Sequence, residues 1–421
     1  MFNQIKQLKD CLLTECKTID DLIIERSRKL DMRHLLGVSF KYFCTKCSKD
    51  EAVNSLQLDG YLDASRQAID KKLKLVEIEY LDNFLTNLRK HIYKIKIMEE
   101  GKRYAIDGTK IAIDKKSDKF KLTGNGNYKL GLLNVIYSID NKIPIGYNLT
   151  ESFDEIDSFL TNLLEYVKKK DILAFDRNYY SKKLITEIND KGAYFVCRMK
   201  KSSLLVKNIK ENNLNENIQY VADYGYIRVI KYNIAEKEYY LTTNQFKYDI
   251  EYFKNIYHQR WSIEEFYKTI KCKMRLNKIN SKNLLKVQQE ITFQFIISTL
   301  ARAFEALSNK YIKKKQHINR PINCNKTNNL NKKKQYERII NHSKTIFLLG
   351  DKTIVLLLFK GTIKKISRLL IVISKDKINS SPNRHFKRYC IRLISKWYLL
   401  KTKYFTNTAI NLLTKIGTIN T

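Results

Sequence analysis

Apolar residues recur at helical intervals through the first hundred positions, then give way to alternation from Arg103 onward. Between Ala64 and Ile92 the positions Ile69, Leu73, Val76, Ile78, Leu81, Leu85 and Leu88 follow helical spacing, with few Gly or Pro breaks. Ser65 or Asp63 is the expected N-cap, just beyond a turn at Gly60. A polar start carrying Arg66 and Gln67 after such a turn fits a helix-turn-helix, and it fits a plain helical bundle equally well. Residues 1–100 read as helical.

Strands are expected at Arg103–Ile113, Lys129–Ser138 and Lys142–Leu149, with a turn at Asp140-Asn141. Ile156–Lys168 reads as an amphipathic helix. Asp171–Phe175 is a short apolar run suited to a strand buried on both faces. A helix over Ser181–Asp190 and a strand over Tyr194–Met199 complete a mixed α/β sheet. Residues 204–245, rich in Tyr, Val and Thr, read as a small antiparallel insertion. A long helix follows from Asp249 through Lys271, with helical sequence to Ser308. Lys313–Lys334 is Lys/Asn-rich and reads as a flexible basic connection. The tail to Thr421 mixes apolar runs with clusters such as Arg384-His385-Phe386-Lys387-Arg388. The resulting division is 1–100, 101–203 (core, first part), 204–245 (β-rich insertion), 246–308 (core, last part) and 309–421 (basic C-terminal region). The aliphatic clusters Ile354–Phe359 and Leu369–Ile373 are far shorter than a bilayer span. Acids and lysines among the apolar residues of the N-terminus do not make a signal peptide. A cytoplasmic protein with no membrane partner is the expectation.

Charge sharpens the picture. The 421 residues carry 79 Lys+Arg against 43 Asp+Glu, a formal net charge of +36. The natural partner of such a chain is a polyanion. Over-use of Lys, Asn and Ile, with only 13 Gly and 3 Pro, is consistent with A/T-rich codons, so part of the lysine excess is compositional. A nucleic acid still leads over an anionic membrane surface or an acidic protein. Of the eight cysteines, Cys44 and Cys47 form one C-x-x-C, and no second C-x-x-C or His pair stands at finger spacing. Reduced thiols and no structural zinc are expected.

Three acids stand out. Asp107 sits in a strand-like run before Gly108, which would let a ligand approach the backbone. Asp176 closes the apolar run, placing its carboxylate at the strand's C-terminal end, where open α/β sheets carry their sites. Glu264 shares a helix with Tyr257, Arg260 and Lys271, and at ~100° per residue these four occupy one arc of about 60°. Ile263, Phe266, Tyr267, Ile270 and Met274 gather on a separate apolar arc. Glu265, the rival carboxylate, lies ~80° off the polar stripe. Carboxylates from two strands and a helix suit hard divalent ions, two of which, ~3.5–4 Å apart, activate an attacking oxygen and stabilise a leaving one.

Asp107-Gly108-Thr109, Asp176-Arg177-Asn178-Tyr179-Tyr180-Ser181 and Tyr257-x2-Arg260-x3-Glu264-x6-Lys271 resemble the three signature blocks of bacterial DDE transposases, more narrowly those of the insertion-sequence-four group with its Y-R-E-K spacing. The likeness spans roughly residues 100–280. It departs at Asn178, where the family usually has Gly; Asn tolerates a left-handed backbone. The resemblance implies an RNase H-like core interrupted by a mostly β insertion and flanked by helical regions. It implies Asp107, Asp176 and Glu264 as ligands of two Mg²⁺ ions, with Mn²⁺ as a substitute. Tyr257, Arg260 and Lys271 would contact phosphates near the cut end. It further implies cutting of element ends, joining of the 3′-hydroxyl to target DNA, and a homodimer holding both ends. The N-terminal helices would read the terminal inverted repeats, with Arg66 and Gln67 as base readers. Arg198, Lys200 and Lys201 are candidates to grip DNA, and Tyr220, Tyr224, Tyr226 and Trp261 to stack an unpaired base. Two rival readings share the site: a catalytically retired DNA-binding derivative, and an RNase H-like nuclease without strand transfer.

Overall fold

The computed structural model describes residues 2–23, 30–117, 119–122, 126, 128–234, 237–279, 281–318, 338–359 and 361–379. Most of the Lys313–Lys334 connection and all of the tail after Asn379, with its Arg384–Arg388 cluster, lie outside them.

Helices α1 (Phe2–Leu22), α2 (Met32–Thr45), α3 (Lys49–Leu58), α4 (Arg66–Leu73) and α5 (Ile78–Lys94) open the chain. The starts of α2, α3 and α4 are capped: Asp31 accepts from the His34 N–H, Ser48 from Glu51 and Ser65 from Ala68. The apolar repeat from Ala64 to Ile92 therefore covers two helices rather than one. Its period survives the break because Val76, in the connection, is fully buried. The Gln289 side-chain amide ties that connection down by donating to the carbonyls of Leu73 and Val76, at 2.8 and 2.6 Å.

The sheet follows: β1 (Arg103–Ile113), β2 (Lys121–Leu122), β3 (Lys129–Ser138), β4 (Ile143–Thr150), α6 (Glu155–Asn162), β5 (Ile172–Phe175), α7 (Lys182–Asp190), β6 (Tyr194–Arg198), α8 (Leu204–Glu211), β7 (Glu216–Val221), β8 (Gly225–Ile234) and β9 (Lys237–Thr243). Strand order is β2-β3-β1-β5-β6-β9-β8-β7, with β4 also on β3. β3 runs antiparallel to β1, while β5 and β6 run parallel to it. This mixed α/β sheet is consistent with the expected RNase H-like fold. The antiparallel strands of the insertion join the sheet, since β9 pairs with β6. Helix α6 is shorter than the Ile156–Lys168 pattern suggests. It gives way to a single 3₁₀ turn, Leu164–Tyr166, whose Tyr166 ring lies so close to Gly146 that a Cβ there would sit 2.5 Å from it.

Strand alternation sorts side chains into two layers. Ile106, Phe175 and Phe195 pack with Phe159 of α6, Leu184 and Ile188 of α7 and Val206 of α8. Ala105, Ala174 and Val196 face the other way, toward α9 (Ile250–Gln259), α10 (Ser262–Cys272) and α11 (Leu284–Ile318). The helix expected from Asp249 through Lys271 is thus two helices. At their junction the Trp261 N–H bonds to His258 O and the Ile263 N–H to Arg260 O, a tightened turn with no Gly or Pro to announce it. Through Leu307, α11 is buried on nearly every side, as a central helix must be. Helices α12 (His342–Leu348), α13 (Ile354–Leu358) and α14 (Ile363–Lys375) return to the opening helices. There Phe359 stacks on Tyr61 at 5.0 Å, and Lys9 Nζ donates to Gly361 O at 2.7 Å. No described helix is long and apolar enough to cross a membrane.

Candidate active site

The last in-register pair of β1 and β5 is Ile106 with Phe175. The next residues along these parallel neighbours are Asp107 and Asp176, on strands ~4.8 Å apart. Both fall on the parity of Ala105 and Ala174, so both project toward α9 and α10. Those helices supply the rest. The Tyr257 hydroxyl donates to Asp176 Oδ1 at 3.3 Å. Arg260 lies over the Tyr257 ring, 5.5 Å from its centroid, and its Nη2 donates to Glu264 Oε1 at 3.1 Å. Lys271 Nζ donates to Thr109 Oγ1 at 2.5 Å and to Lys110 O at 3.0 Å. Despite the break at Trp261, all four stripe residues face the strand ends.

Electrostatics bind the group together. Burial pushes Asp107 up to about 7; Arg260 opposes the rise, while Glu155 and Glu264 add to it. Burial alone would lower the Arg260 guanidinium, but Tyr257, Asp107, Glu264 and Asp176 around it outweigh that and raise it. Burial lowers Lys271.

Two participants are invisible to motif reading. Glu155, in the first turn of α6, is a fourth carboxylate; burial raises it, and the charge on Asp176 adds to the rise. A Cβ on Gly108 would stand 2.7 Å from Glu155 Oε1, so this glycine makes room for the protein's own carboxylate. Asn134 holds the turn by donating to Glu155 O at 2.7 Å, and the Tyr179 hydroxyl donates to Asn134 Oδ1 at 3.1 Å. Tyr267, assigned above to the apolar arc, is indeed buried, but its hydroxyl donates to Asp107 O at 2.6 Å. Asp154 preceding Glu155 at a strand-to-helix turn was the one available signal, since it caps α6. The Asn178 question resolves by geometry: residues 177–179 form a 3₁₀ turn that asks for no left-handed residue.

Other candidates are dispersed. Arg198, at the end of β6, stacks 4.8 Å over the Tyr239 ring. Lys200 and Lys201 are exposed. Arg66 pairs with Asp50 at 2.7 Å and with Asp70 at 3.7 Å inside the N-terminal helices, and its neighbour Gln67 is exposed. Tyr220 and Tyr226 form an exposed edge-to-face pair across β7 and β8, Tyr224 shares a hydrogen bond with Tyr180, and Trp261 is 53% exposed.

As ligands for divalent ions the carboxylates are the right kind: hard oxygens carried within β1, just past β5 and on α10. Their placement is not a closed shell. Among the described residues no three His, Cys, Asp or Glu side chains stand together as a metal site, and the cation these acids face is Arg260.

Residues 99–300, from just before β1 into α11, match the family model described as a transposase DDE domain. A transposase of the DDE class is what that match supports. Among solved structures, a piggyBac transposase synaptic complex with hairpin DNA aligns over 91% of this chain and 84% of that one, at 11% identity and a TM-score of 0.45. No curated protein matches the sequence.

Proposed function

We propose that this chain is a DNA transposase that cuts the ends of an insertion sequence and joins the freed 3′-hydroxyl to target DNA. The observation that carries the reading is the convergence of Asp107, Asp176 and Glu264 with Tyr257, Arg260 and Lys271 on one face of the sheet, within the segment that matches the DDE domain. The Y-R-E-K residues, at their spacing, favour the insertion-sequence-four group.

In the first step a water oxygen attacks phosphorus at the element boundary, and the bond from phosphorus to the 3′-oxygen breaks, leaving a 3′-hydroxyl and a 5′-phosphate. In the second that hydroxyl attacks a target phosphodiester; one phosphorus–oxygen bond forms as another breaks, so the phosphodiester count is conserved. Asp107, Asp176 and Glu264 would hold two Mg²⁺ or Mn²⁺ ions, which when bound polarise the attacking oxygen and offset charge on the leaving one. Tyr257, Arg260 and Lys271 would orient the phosphates. Trp261, exposed next to Arg260, would stack an unpaired base. The N-terminal helices, through Arg66 and Gln67, and a basic C-terminal region would add duplex contacts, with two copies holding the two ends.

The test is cleavage of labelled DNA carrying the element's own flanking ends, with Mg²⁺ or EDTA, by wild type and Asp176→Ala. Nicking at the boundary that needs Mg²⁺ and disappears in the variant is expected. Binding by both proteins with no cut by either would overturn the enzymatic reading.

A further inference from the structure

Arg260 occupies an unusual place for an arginine meant only to meet DNA. It is 8% exposed, at the junction of α9 and α10. Among the described residues its guanidinium donates one hydrogen bond, to Glu264, and its Nε is buried without a partner. The carboxylates around it come from three elements: Asp107 on β1, Asp176 just past β5 and Glu264 on α10. These are the acids assigned above to divalent ions. Oxygen lone pairs committed to a guanidinium are withdrawn from an ion, and two cations a few ångströms apart repel each other in a half-buried site.

We propose that Arg260 and the divalent ions are alternative counter-ions of Asp107, Asp176 and Glu264, so that ion entry displaces the guanidinium from Glu264. The inference rests on the metal-binding reading of the site. Displacement sacrifices one hydrogen bond of an under-satisfied group. The released guanidinium, planar and always charged, matches a phosphate as well as a carboxylate. Ion loading would therefore convert an internal counter-ion into a DNA contact.

The experiment is Mn²⁺ binding to the full chain without DNA, by calorimetry and by the electron paramagnetic resonance of free Mn²⁺. The proteins are wild type, Arg260→Met, Arg260→Lys and Asp107→Asn. A competing internal cation acts as a coupling between two sites, so its removal should raise Mn²⁺ affinity by about tenfold or more. Arg260→Lys, which keeps the charge, should stay near wild type, and Asp107→Asn should weaken binding. Arg260→Met affinity equal to or below wild type, with Asp107→Asn still weakened, would overturn the counter-ion role and leave the metal site standing. Mn²⁺ binding indifferent to Asp107→Asn would overturn the metal reading and the inference together. Should Arg260→Met fail to fold, Arg260→Gln carries the same expectation.

Discussion

Asp107 carries its charge at a cost that pH can expose. Burial raises it from 3.8 to about 7. An acid raised in this way is protonated in the folded protein while the unfolded chain is already ionised. The stability tied to it is complete below about pH 4 and is lost as pH rises through about 7. In EDTA, the difference in melting temperature between Asp107→Asn and wild type should be smallest near pH 4 and widen toward pH 8 in favour of Asn. The stability difference behind it has a ceiling of about 4 kcal/mol. A pH-independent difference would mean that Asp107 pays no such cost. Gly108 belongs to the same local design, because the space its missing side chain leaves is taken by Glu155.

Elements turn these residues into a site. Helix α10 reaches β1 through Tyr267, whose buried hydroxyl bonds to the Asp107 carbonyl. Tyr267→Phe keeps the ring in the core and removes only that tie. It should cost about 1 kcal/mol in urea unfolding, and it should slow DNA cutting by loosening the strand that carries Asp107. Unchanged cutting would show that packing alone positions the strand. Much of this element plan was legible in the chain. The short run from Asp171 to Phe175 announced a central strand with Asp176 at its end, and the register of β5 on β1 sets that residue beside Asp107. What stayed hidden had physical causes. The break at Trp261 has no Gly or Pro, only a switch from four-residue to three-residue hydrogen-bond spans across one turn. Tyr267 reads as apolar because burial and a single polar atom coexist in one side chain. Glu155 enters the site from a turn held against β3 by Asn134, a contact that no local spacing encodes.

At the scale of the whole molecule, the surplus of 79 basic over 43 acidic residues matters through where it meets a duplex. Several of those charges are already engaged, Arg66 with Asp50 and Lys182 with Asp223 among them, and so offer less to phosphates. Other basic side chains are the candidates for phosphate. Arg177, Lys200 and Lys201 are exposed, Lys110 lies 4.5 Å over the Phe153 ring, and Arg198 and Lys271 border the strand ends. If these six meet a duplex together, they suffice for about five phosphate contacts. Each neutralised phosphate releases condensed counterions, so the logarithm of affinity should fall against the logarithm of salt with a slope of about −4.5. Replacing Lys200 and Lys201 by Gln should flatten that slope by roughly 2 while the fold persists, since both are exposed. Filter binding or fluorescence anisotropy across a salt series reads both numbers. A flat dependence would remove phosphate contact as the basis of binding, and with it the nucleic-acid partner on which the enzymatic reading depends.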